Sequence, residues 1–260
     1  MKLIDTHIHW YVEDFREDLP AAIARAQAVG VKQFVLPAVG RTTQAPLMQV
    51  AGAFAGICFP CTGLHPTEVN ADWREELTFV EQQLAEHAGA FVAIGETGID
   101  AYHSRTFMEA QKTVFEQQLR WSARYNLPAI VHARDAFEEI LETLERVKSL
   151  PLRGVLHAYS GNVETFERIR RYGDFKIGVG GVVTFKKALL AQVVEHVDLR
   201  HILLETDAPW LSPAPFRGKR NESSYIPLIA AKVAELKRCP LEEVAAVTTA
   251  NAEELFHLPA

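Results

Sequence analysis

Short runs of apolar residues alternate along the chain with longer stretches in which apolar residues recur every three or four positions. The short runs are rich in Val, Ile and Leu, which is typical of strands buried on both faces. The longer stretches are typical of amphipathic helices: in residues 16–29, Leu19, Ile23, Ala26 and Val29 mark one face, and Gly30 ends the pattern. Strands are predicted at residues 3–9, 32–39, 57–64, 91–96, 129–132, 154–157, 175–179 and 201–206. Helices are predicted at residues 16–29, 43–54, 73–86, 107–125, 136–148, 163–171, 186–196, 225–237 and 241–248.

This pattern gives eight strand-then-helix units. No Pro/Gly/Ser-rich linker and no change in composition separates them, so residues 1–260 are predicted to form a single domain. The length of 260 residues also matches the roughly 250 residues typical of a closed eight-fold barrel. The predicted fold class is therefore α/β, a single (β/α)8 TIM-type barrel with C-terminal helices; an open doubly wound sheet is the alternative.

The charge balance limits the possible partners. A formal net charge of −6 argues against a broadly basic nucleic-acid-binding surface, so an anionic substrate would have to be held locally. Five basic residues could form such a local lip: Lys186, Lys187, Arg217, Lys219 and Arg220.

The sequence shows no features of export or of membrane insertion. No apolar segment resembles a signal peptide or a membrane span. The three cysteines, Cys58, Cys61 and Cys239, are an odd number and suit reduced, buried thiols. On a strand, Cys58 and Cys61 would face opposite ways, which argues against a shared metal site. We therefore expect a cytoplasmic protein without membrane contact, and the sequence indicates no obligate protein partner.

Side chains able to bind metals stand at the predicted carboxyl ends of the strands, where barrel enzymes place their active sites. They are His7, His9, Glu96, His132, His157 and Asp207. His7 and His9 are two apart on a predicted strand, so both should point to one spot. A single such histidine is more often a hydrogen-bonded structural residue, but six residues at one rim favour a metal centre.

Six ligands exceed what one catalytic ion needs, which favours two divalent metal ions. Zinc, manganese and magnesium all suit the mixed imidazole and carboxylate set. Glu96, which lies between the first pair and the later histidines, is expected to bridge the ions. Asp207 is expected to bind the first ion and to accept the proton of an attacking water, so Glu96 and Asp207 are the predicted catalytic residues.

Several short motifs, in order over the whole chain, resemble the TatD-type metal-dependent deoxyribonucleases. They are Asp5-Thr6-His7-Ile8-His9, Gly63-Leu64-His65-Pro66, Gly95-Glu96-Thr97-Gly98-Ile99-Asp100, Val131-His132-Ala133-Arg134, His157-Ala158-Tyr159-Ser160-Gly161, Glu205-Thr206-Asp207-Ala208-Pro209 and Thr249-Ala250-Asn251. The resemblance implies a barrel of the amidohydrolase superfamily, two divalent metals and hydrolysis of phosphodiester bonds, often in DNA. It implies His7, His9, Glu96 and Asp207 around one metal, and Glu96, His132 and His157 around the other. His65 and Arg134 match positions beside the metals and are expected to bind substrate phosphate.

We therefore expect a metal-dependent hydrolase acting on ester bonds, a DNase for single-stranded DNA or DNA ends, through a water activated by two metals. Its partner would be DNA or a small phosphodiester, and bases could stack on Trp10, Tyr102 or Trp210. Hydrolysis of small-molecule esters, amides or lactones is the alternative, because related barrels share metals but differ in loops. A non-catalytic metal-stabilised binding protein is disfavoured, because ligands at an open rim leave positions for water.

Two further features have two interpretations each. His103 could line the substrate pocket or be an exposed loop histidine. The stretch Gly178-Val179-Gly180-Gly181 could bind phosphate through its backbone N–H groups, or could allow close packing beside the site.

Overall fold

The computed structural model describes all 260 residues and contains eight parallel β-strands. The strands are β1 (Leu3–Asp5), β2 (Val31–Leu36), β3 (Cys58–Pro60), β4 (Ile94–Asp100), β5 (Ala129–Arg134), β6 (Leu152–Leu156), β7 (Gly173–Val179) and β8 (Ile202–Leu204). The helices are α1 (Leu19–Ala28), α2 (Arg41–Ala53), α3 (Trp73–His87), α4 (Met108–Tyr125), α5 (Phe137–Arg146), α6 (Val163–Ile169), α7 (Leu189–His196), α8 (Ile226–Lys237) and α9 (Leu241–Phe256). A helix follows every strand, and α9 is the additional C-terminal helix.

The eight strands close into a barrel. Regular ladders run in the orders β1-β2-β3 and β4-β5-β6-β7-β8, and isolated parallel bridges join the two groups at Ile8↔Ala208 and at Thr62↔Ile94. The backbone hydrogen bond from Asp207 N to the His7 carbonyl is 2.9 Å long, and that from Gly95 N to the Thr62 carbonyl is 2.8 Å long. No strand edge is left open, so the predicted barrel is confirmed and the open-sheet alternative is wrong.

Two strand boundaries differ from the sequence prediction in ways that affect the site. Strand β1 ends at Asp5 instead of continuing to residue 9, because the chain leaves the regular ladder there and only Ile8 pairs again. Strand β4 continues four residues beyond Glu96, because residues 97–100 pair with residues 131–134 of β5. Glu96 therefore lies within β4 and not at its end.

The barrel interior below the site is filled by one apolar cluster. Its strand-side members are Ile4, Val35, Cys61, Ala93, Ile130, Val155 and Leu203, and its remaining members are Ala252, Leu255, Phe256 and Leu258. The second set comes from α9 and the residue after its C-cap, so this helix covers the amino end of the barrel. Helix α9 extends eight residues past the predicted end at 248, because Asn251 within it donates to the carbonyls of Leu199 and Ile202 at 2.9 Å each.

A larger cluster of 48 buried residues lies mainly between the barrel wall and the surrounding helices. Cys58 belongs to this outer cluster and Cys61 to the inner one, which confirms that the two thiols face opposite ways. Cys239 is only partly buried. Trp10 is 1% exposed and packs edge-on against Phe15 and Phe34. The prediction that Trp10 stacks on substrate bases is therefore wrong, because its ring belongs to the core.

None of the helices combines the length and the apolar character that crossing a membrane requires.

Strand β6 approaches β5 so closely that Gly154 admits no side chain. A Cβ atom on Gly154 would lie 2.3 Å from the carbonyl oxygen of Ala129, a backbone atom held in the β5–β6 ladder. We expect Gly154→Ala to lower the free energy of unfolding by about 1–3 kcal/mol, the usual cost of overpacking. Gly52→Ala is the matched control, because nothing lies within 4 Å of its Cβ position in helix α2. It should be neutral or stabilising by up to about 1 kcal/mol. Urea unfolding of both variants measures the difference, and equal stabilities would contradict the packing explanation.

Candidate metal centre

The period of the strands directs three functional side chains into the barrel mouth. In β5, Ile130 points into the inner cluster, and His132, two residues later, lies on the same face nearer the carboxyl end. Val155 and His157 repeat this arrangement at β6, and Leu203 and Asp207 have the same parity after β8. The strands thus supply packing at the bottom, and residues at or just beyond their carboxyl ends supply ligand atoms at the top.

Four donor atoms meet where β1 closes against β8. His7 Nε2 lies 3.1 Å from His9 Nε2, 3.3 Å from Glu96 Oε2 and 3.7 Å from Asp207 Oδ1. His9 Nε2 lies 3.5 Å from the same Asp207 oxygen. Ligands about 2.1 Å from one ion at near-tetrahedral angles lie roughly 3.4 Å apart. The spacing of the His7, His9 and Asp207 atoms therefore fits a shared metal ion, with Glu96 Oε2 beside His7. The predicted convergence of His7 and His9 is confirmed.

A second group gathers around the other oxygen of the same carboxylate. Glu96 Oε1 lies 2.9 Å from His132 Nδ1, 3.1 Å from His157 Nε2 and 3.3 Å from His65 Nε2. The His7 and His157 rings stack with centroids 3.7 Å apart, so the two groups are neighbours. One oxygen of Glu96 thus faces His7, and the other faces His65, His132 and His157. A bridging carboxylate requires such a division.

Glu96 is almost completely buried, with 3% of its surface exposed. Burial raises the pKa of a carboxyl group, but the surrounding His157, His65 and His7 outweigh this and hold the pKa of Glu96 well below its usual range. Burial likewise lowers the pKa of His157, yet the Glu96 and Glu205 carboxylates raise it well above the usual value. The charge on Glu96 is therefore maintained in a site that excludes most water.

Hydrogen bonds behind His132 and His9 fix which ring nitrogen of each faces the centre. His132 Nε2 donates to Asp100 Oδ2 at 2.9 Å, so Nδ1 is the nitrogen that faces Glu96 and would be the one to bind a metal ion. His9 Nδ1 donates to the Tyr11 hydroxyl at 2.6 Å, because that hydroxyl itself donates to the Pro37 carbonyl at 2.6 Å. His9 Nε2 is then the free nitrogen, as metal binding requires.

His157 is supported in a similar way by Glu205. Its Nδ1 lies 3.5 Å from Glu205 Oε1, an ion-pair distance that is long for a hydrogen bond, and the Glu205 carboxylate also accepts from the Ala158 backbone N–H. Gly178 makes room for this carboxylate, since a Cβ there would lie 2.1 Å from Glu205 Oε2. The sequence allowed two interpretations of residues 178–181, phosphate binding and close packing. At Gly178 the structure shows close packing.

His65 differs from the other histidines in its tautomer. Its Nδ1 accepts the Thr67 backbone N–H at 3.1 Å, so the neutral ring has its proton on Nε2, which faces Glu96 and His132. An Nε2–H group cannot bind a metal, but it can donate to an anion. The donor chemistry therefore suits the predicted substrate-binding role of His65 better than a ligand role, although its position is among the ligands.

Asp100, Glu205 and Tyr11 support the ligand histidines, and the sequence reasoning assigned a role to none of them. Strand parity could have identified Glu205, because it stands two residues before Asp207. The Asp100 contact depends on β4 continuing beyond Glu96, and the Tyr11 contact depends on the turn after β1, so neither follows from strand parity. The six predicted ligands all reach the centre, and their donor set fits two divalent ions.

An open cleft of about 690 Å³ lies above the ligands, lined by His9, His65, Glu96, His103, His132, Arg134, His157, Asp207 and Trp210 among others. Arg134 is exposed at its edge, with its guanidinium 4.0 Å above the Tyr102 ring. Tyr102 and Trp210 are 60% and 50% exposed. His103 lines the cleft and donates from Nδ1 to Asp100 at 2.8 Å, so it is both an exposed loop residue and a pocket residue.

The prediction that five basic residues form a local lip at the site is wrong for one of them. Arg220 pairs with Asp18 at 2.7 Å and lies 3.7 Å from Glu222, so its charge is neutralised within the fold. Arg217 lies over the Phe185 ring at 4.3 Å. Lys186 and Lys187 are exposed. Arg134 is the cationic side chain that lines the cleft itself.

Comparison with known proteins agrees with this site. The profile of the family described as TatD related DNase matches residues 4–257. The uncharacterized metal-dependent hydrolase YabD of Bacillus subtilis (strain 168) is 36% identical over 257 residues, which cover 98% of this chain and 99% of YabD. The uncharacterized metal-dependent hydrolase YjjV of Escherichia coli (strain K12) is 32% identical, with 99% of each chain covered.

The crystal structure of YjjV, described as a TatD homologue from Escherichia coli K12, superimposes with a TM-score of 0.90 at 31% sequence identity. The superposition covers 99% of this chain and 98% of YjjV. Sequence and structure thus match over the whole barrel, including the rim that contains the ligand residues. The chain therefore belongs to the TatD family of metal-dependent hydrolases.

Proposed function

We propose that the protein is a phosphodiesterase that hydrolyses DNA with two divalent metal ions. The observation that supports this most is that the two oxygens of Glu96 face different imidazoles: His7 at 3.3 Å on one oxygen, and His65, His132 and His157 at 2.9–3.3 Å on the other. His7, His9 and Asp207 would hold one ion, and His132 and His157 the other. Ions bound there would supply positive charge that stabilises a phosphoryl group and acidifies water.

The chain's own donors suit a tetrahedral anion. His65 presents Nε2–H toward the centre, and Arg134 presents a guanidinium at the edge of the same cleft. Both would donate to the phosphoryl oxygens on which charge develops. A neutral amide or lactone begins without such charge, so these donors favour a phosphodiester over the small-molecule alternative.

Asp207 is the residue best placed to accept a proton from the attacking water. Its carboxylate lies at the mouth of the cleft, with 15% of the side chain exposed, and one oxygen is 3.5 Å from His9 Nε2. The remaining carboxylate oxygen is free for a water in the cleft. Glu96 is less suited to this task, because all its contacts are with imidazoles inside the centre.

A single strand suits the cleft better than an intact duplex. The ligands lie at the bottom of an opening of about 690 Å³, too small for a double helix to enter. Tyr102 and Trp210 are exposed around it and could stack on unpaired bases. DNA with single-stranded character, including frayed ends, is therefore the proposed substrate in the cytoplasm.

The metal content can be measured directly. We expect up to two divalent ions per chain after loading and desalting, because the ligands form two groups around Glu96. Glu96→Ala should remove the shared ligand, lower the bound metal and abolish hydrolysis, while the far-ultraviolet circular dichroism stays that of a folded barrel. Elemental analysis gives the count. Less than a tenth of an ion per wild-type chain, with no uptake on titration, would contradict the two-metal proposal.

The support of His132 by Asp100 gives a second prediction. Asp100→Asn should weaken one of the two metal-binding steps by about 10–100-fold, because the carboxylate that orients His132 and increases its basicity is lost. Calorimetric metal titration resolves the two steps. Asp198→Asn is the matched control, since Asp198 is exposed and its carboxylate contacts only Arg200, at the backbone N–H and at the guanidinium. Unchanged affinity in the Asp100 variant would show that this contact does not tune the site.

The substrate proposal predicts faster cleavage of single-stranded DNA than of blunt duplex or closed circular DNA. Arg134→Ala should lose most turnover on phosphodiesters, because a donor to the phosphoryl oxygens is removed. Arg120→Ala, on the exposed face of α4 and paired only with Glu116, should behave as the wild type. Initial rates on matched substrates decide the matter. Equal rates on all three DNA forms, or cleavage of non-phosphate substrates alone, would refute the proposal.

A further inference from the structure

A second space opens from the metal cleft between the carboxyl ends of β5 and β8. This side lobe has a volume of about 360 Å³. It shares His132, His157, Asp207 and Arg134 with the cleft, so the two spaces adjoin each other at these side chains. The wall away from the metal ligands is apolar and is formed by Tyr159, Val182, Leu189, Leu190 and Leu211. A group bound at the metal centre would therefore have an apolar compartment directly beside it.

The walls of the side lobe are held by specific contacts. The loop after β8 lies on the loop after β7: a Cβ on Gly181 would be 2.2 Å from the Leu211 carbonyl oxygen and 2.8 Å from Pro213 N. Ala214 N also donates to Thr184 Oγ1 at 2.8 Å. A side chain at position 181 would separate the loops, so its glycine is needed to close the lobe on this side.

The wall offers packing and few hydrogen-bonding groups. Leu190 and Tyr159 are 4% and 2% exposed, so both are fixed by their surroundings. The Tyr159 hydroxyl donates to the Asn162 carbonyl at 2.6 Å, which leaves its ring as an apolar surface. The charged side chains of the lobe, Arg134 and Glu205 with the metal ligands, all lie on the side of the centre.

The size of the lobe limits what it can hold. A volume of about 360 Å³ lies at the small end of the roughly 300–1,000 Å³ range of sites for small organic groups. It has room for one nucleoside-sized unit and not for a run of nucleotides. Arg134 lines both spaces, so a phosphate held beside it would direct one ester substituent into the lobe.

We propose that the side lobe binds the base and sugar attached to one ester oxygen of the scissile phosphate, by apolar packing against Leu189, Leu190 and Val182. This inference rests on the proposed phosphodiesterase function and adds a substrate-binding subsite to it. Because the wall is mainly apolar, with the Ser160 hydroxyl as an uncharged polar group in the lining, the subsite recognises the presence of a base and discriminates little among the four bases.

Binding tests the subsite independently of turnover. Calorimetry on the manganese-loaded protein compares thymidine 5′-monophosphate with methyl phosphate, which has the same charged group without the nucleoside. We expect the nucleotide to bind at least tenfold more tightly, because it also fills the apolar lobe. Equal affinities would overturn the subsite, whether or not the protein hydrolyses DNA.

Chromogenic diesters then connect the lobe to catalysis. The p-nitrophenyl esters of thymidine 5′-phosphate and of methyl phosphate share one leaving group, and we expect kcat/KM to favour the nucleoside ester at least tenfold, mainly through KM. Hydrolysis of neither diester would contradict the proposed function alone, since the calorimetric comparison still decides the lobe.

Variants of the wall complete the test. Leu189→Gln and Val182→Thr place polar atoms in half-buried or exposed wall positions, where folding should tolerate them. Each should reduce the nucleotide preference in binding, and in kcat/KM, by at least threefold. Leu228→Gln on α8 is the matched control, because Leu228 is 37% exposed and does not line the lobe; its preference should equal that of the wild type. An undiminished preference in both wall variants would overturn the assignment.

Discussion

The site depends on one buried carboxylate, that of Glu96, whose two oxygens face different imidazoles. Glu96 lies within β4, 3% exposed, and cannot be solvated by bulk water. An isolated charge in such a place would be strongly destabilising, so positive or metal-binding partners must surround it. His7, His65, His132 and His157 all lie within 3.3 Å of its oxygens. Their positions, in turn, require strands from opposite sides of the barrel to end at the same height, which only a closed barrel provides.

The histidines around Glu96 are similar in sequence but differ in what supports them. His132 and His157 have carboxylates behind them, His9 has a phenol, and His7 Nδ1 is buried without a protein partner. A carboxylate behind an imidazole raises its basicity more than a neutral hydroxyl does. The two proposed metal positions therefore have unequal support, with the stronger one on the β5–β6 side. His65, whose proton faces inward, adds a donor to that same side.

Hydrogen bonds to the Asp5 carboxylate stabilise the contact between β1 and β8. The fully buried Asp5 carboxylate accepts hydrogen bonds from Thr206 Oγ1 and Ser223 Oγ at 2.6 Å each, and from the backbone N–H of Thr206 at 3.0 Å and of His7 at 3.3 Å. Burial raises the pKa of Asp5 to about 7, although these donors oppose the shift. Asp5 thereby ties the segment containing His7 and His9 to the segment containing Asp207. The loop between β8 and α8, which these hydrogen bonds hold in place, continues to Leu211 in the apolar wall of the side lobe.

The sequence by itself determined the alternation of strands and helices, the barrel and the six candidate ligand residues that meet at its mouth, because strand parity and element order are local properties of the chain. The depth of Glu96 within β4, the tautomer of His65 and the support from Asp100 and Tyr11 were decided only by the tertiary structure. Each depends on which backbone group or side chain from another segment lies within hydrogen-bonding distance, and a residue pattern does not encode that distance. Trp10 and Trp210 also show what a residue pattern does not encode. Both tryptophans stand near candidate ligand residues in the sequence, yet Trp10 is 1% exposed and Trp210 is 50% exposed. The packing of the loops, and not the sequence spacing, decides which ring reaches the cleft.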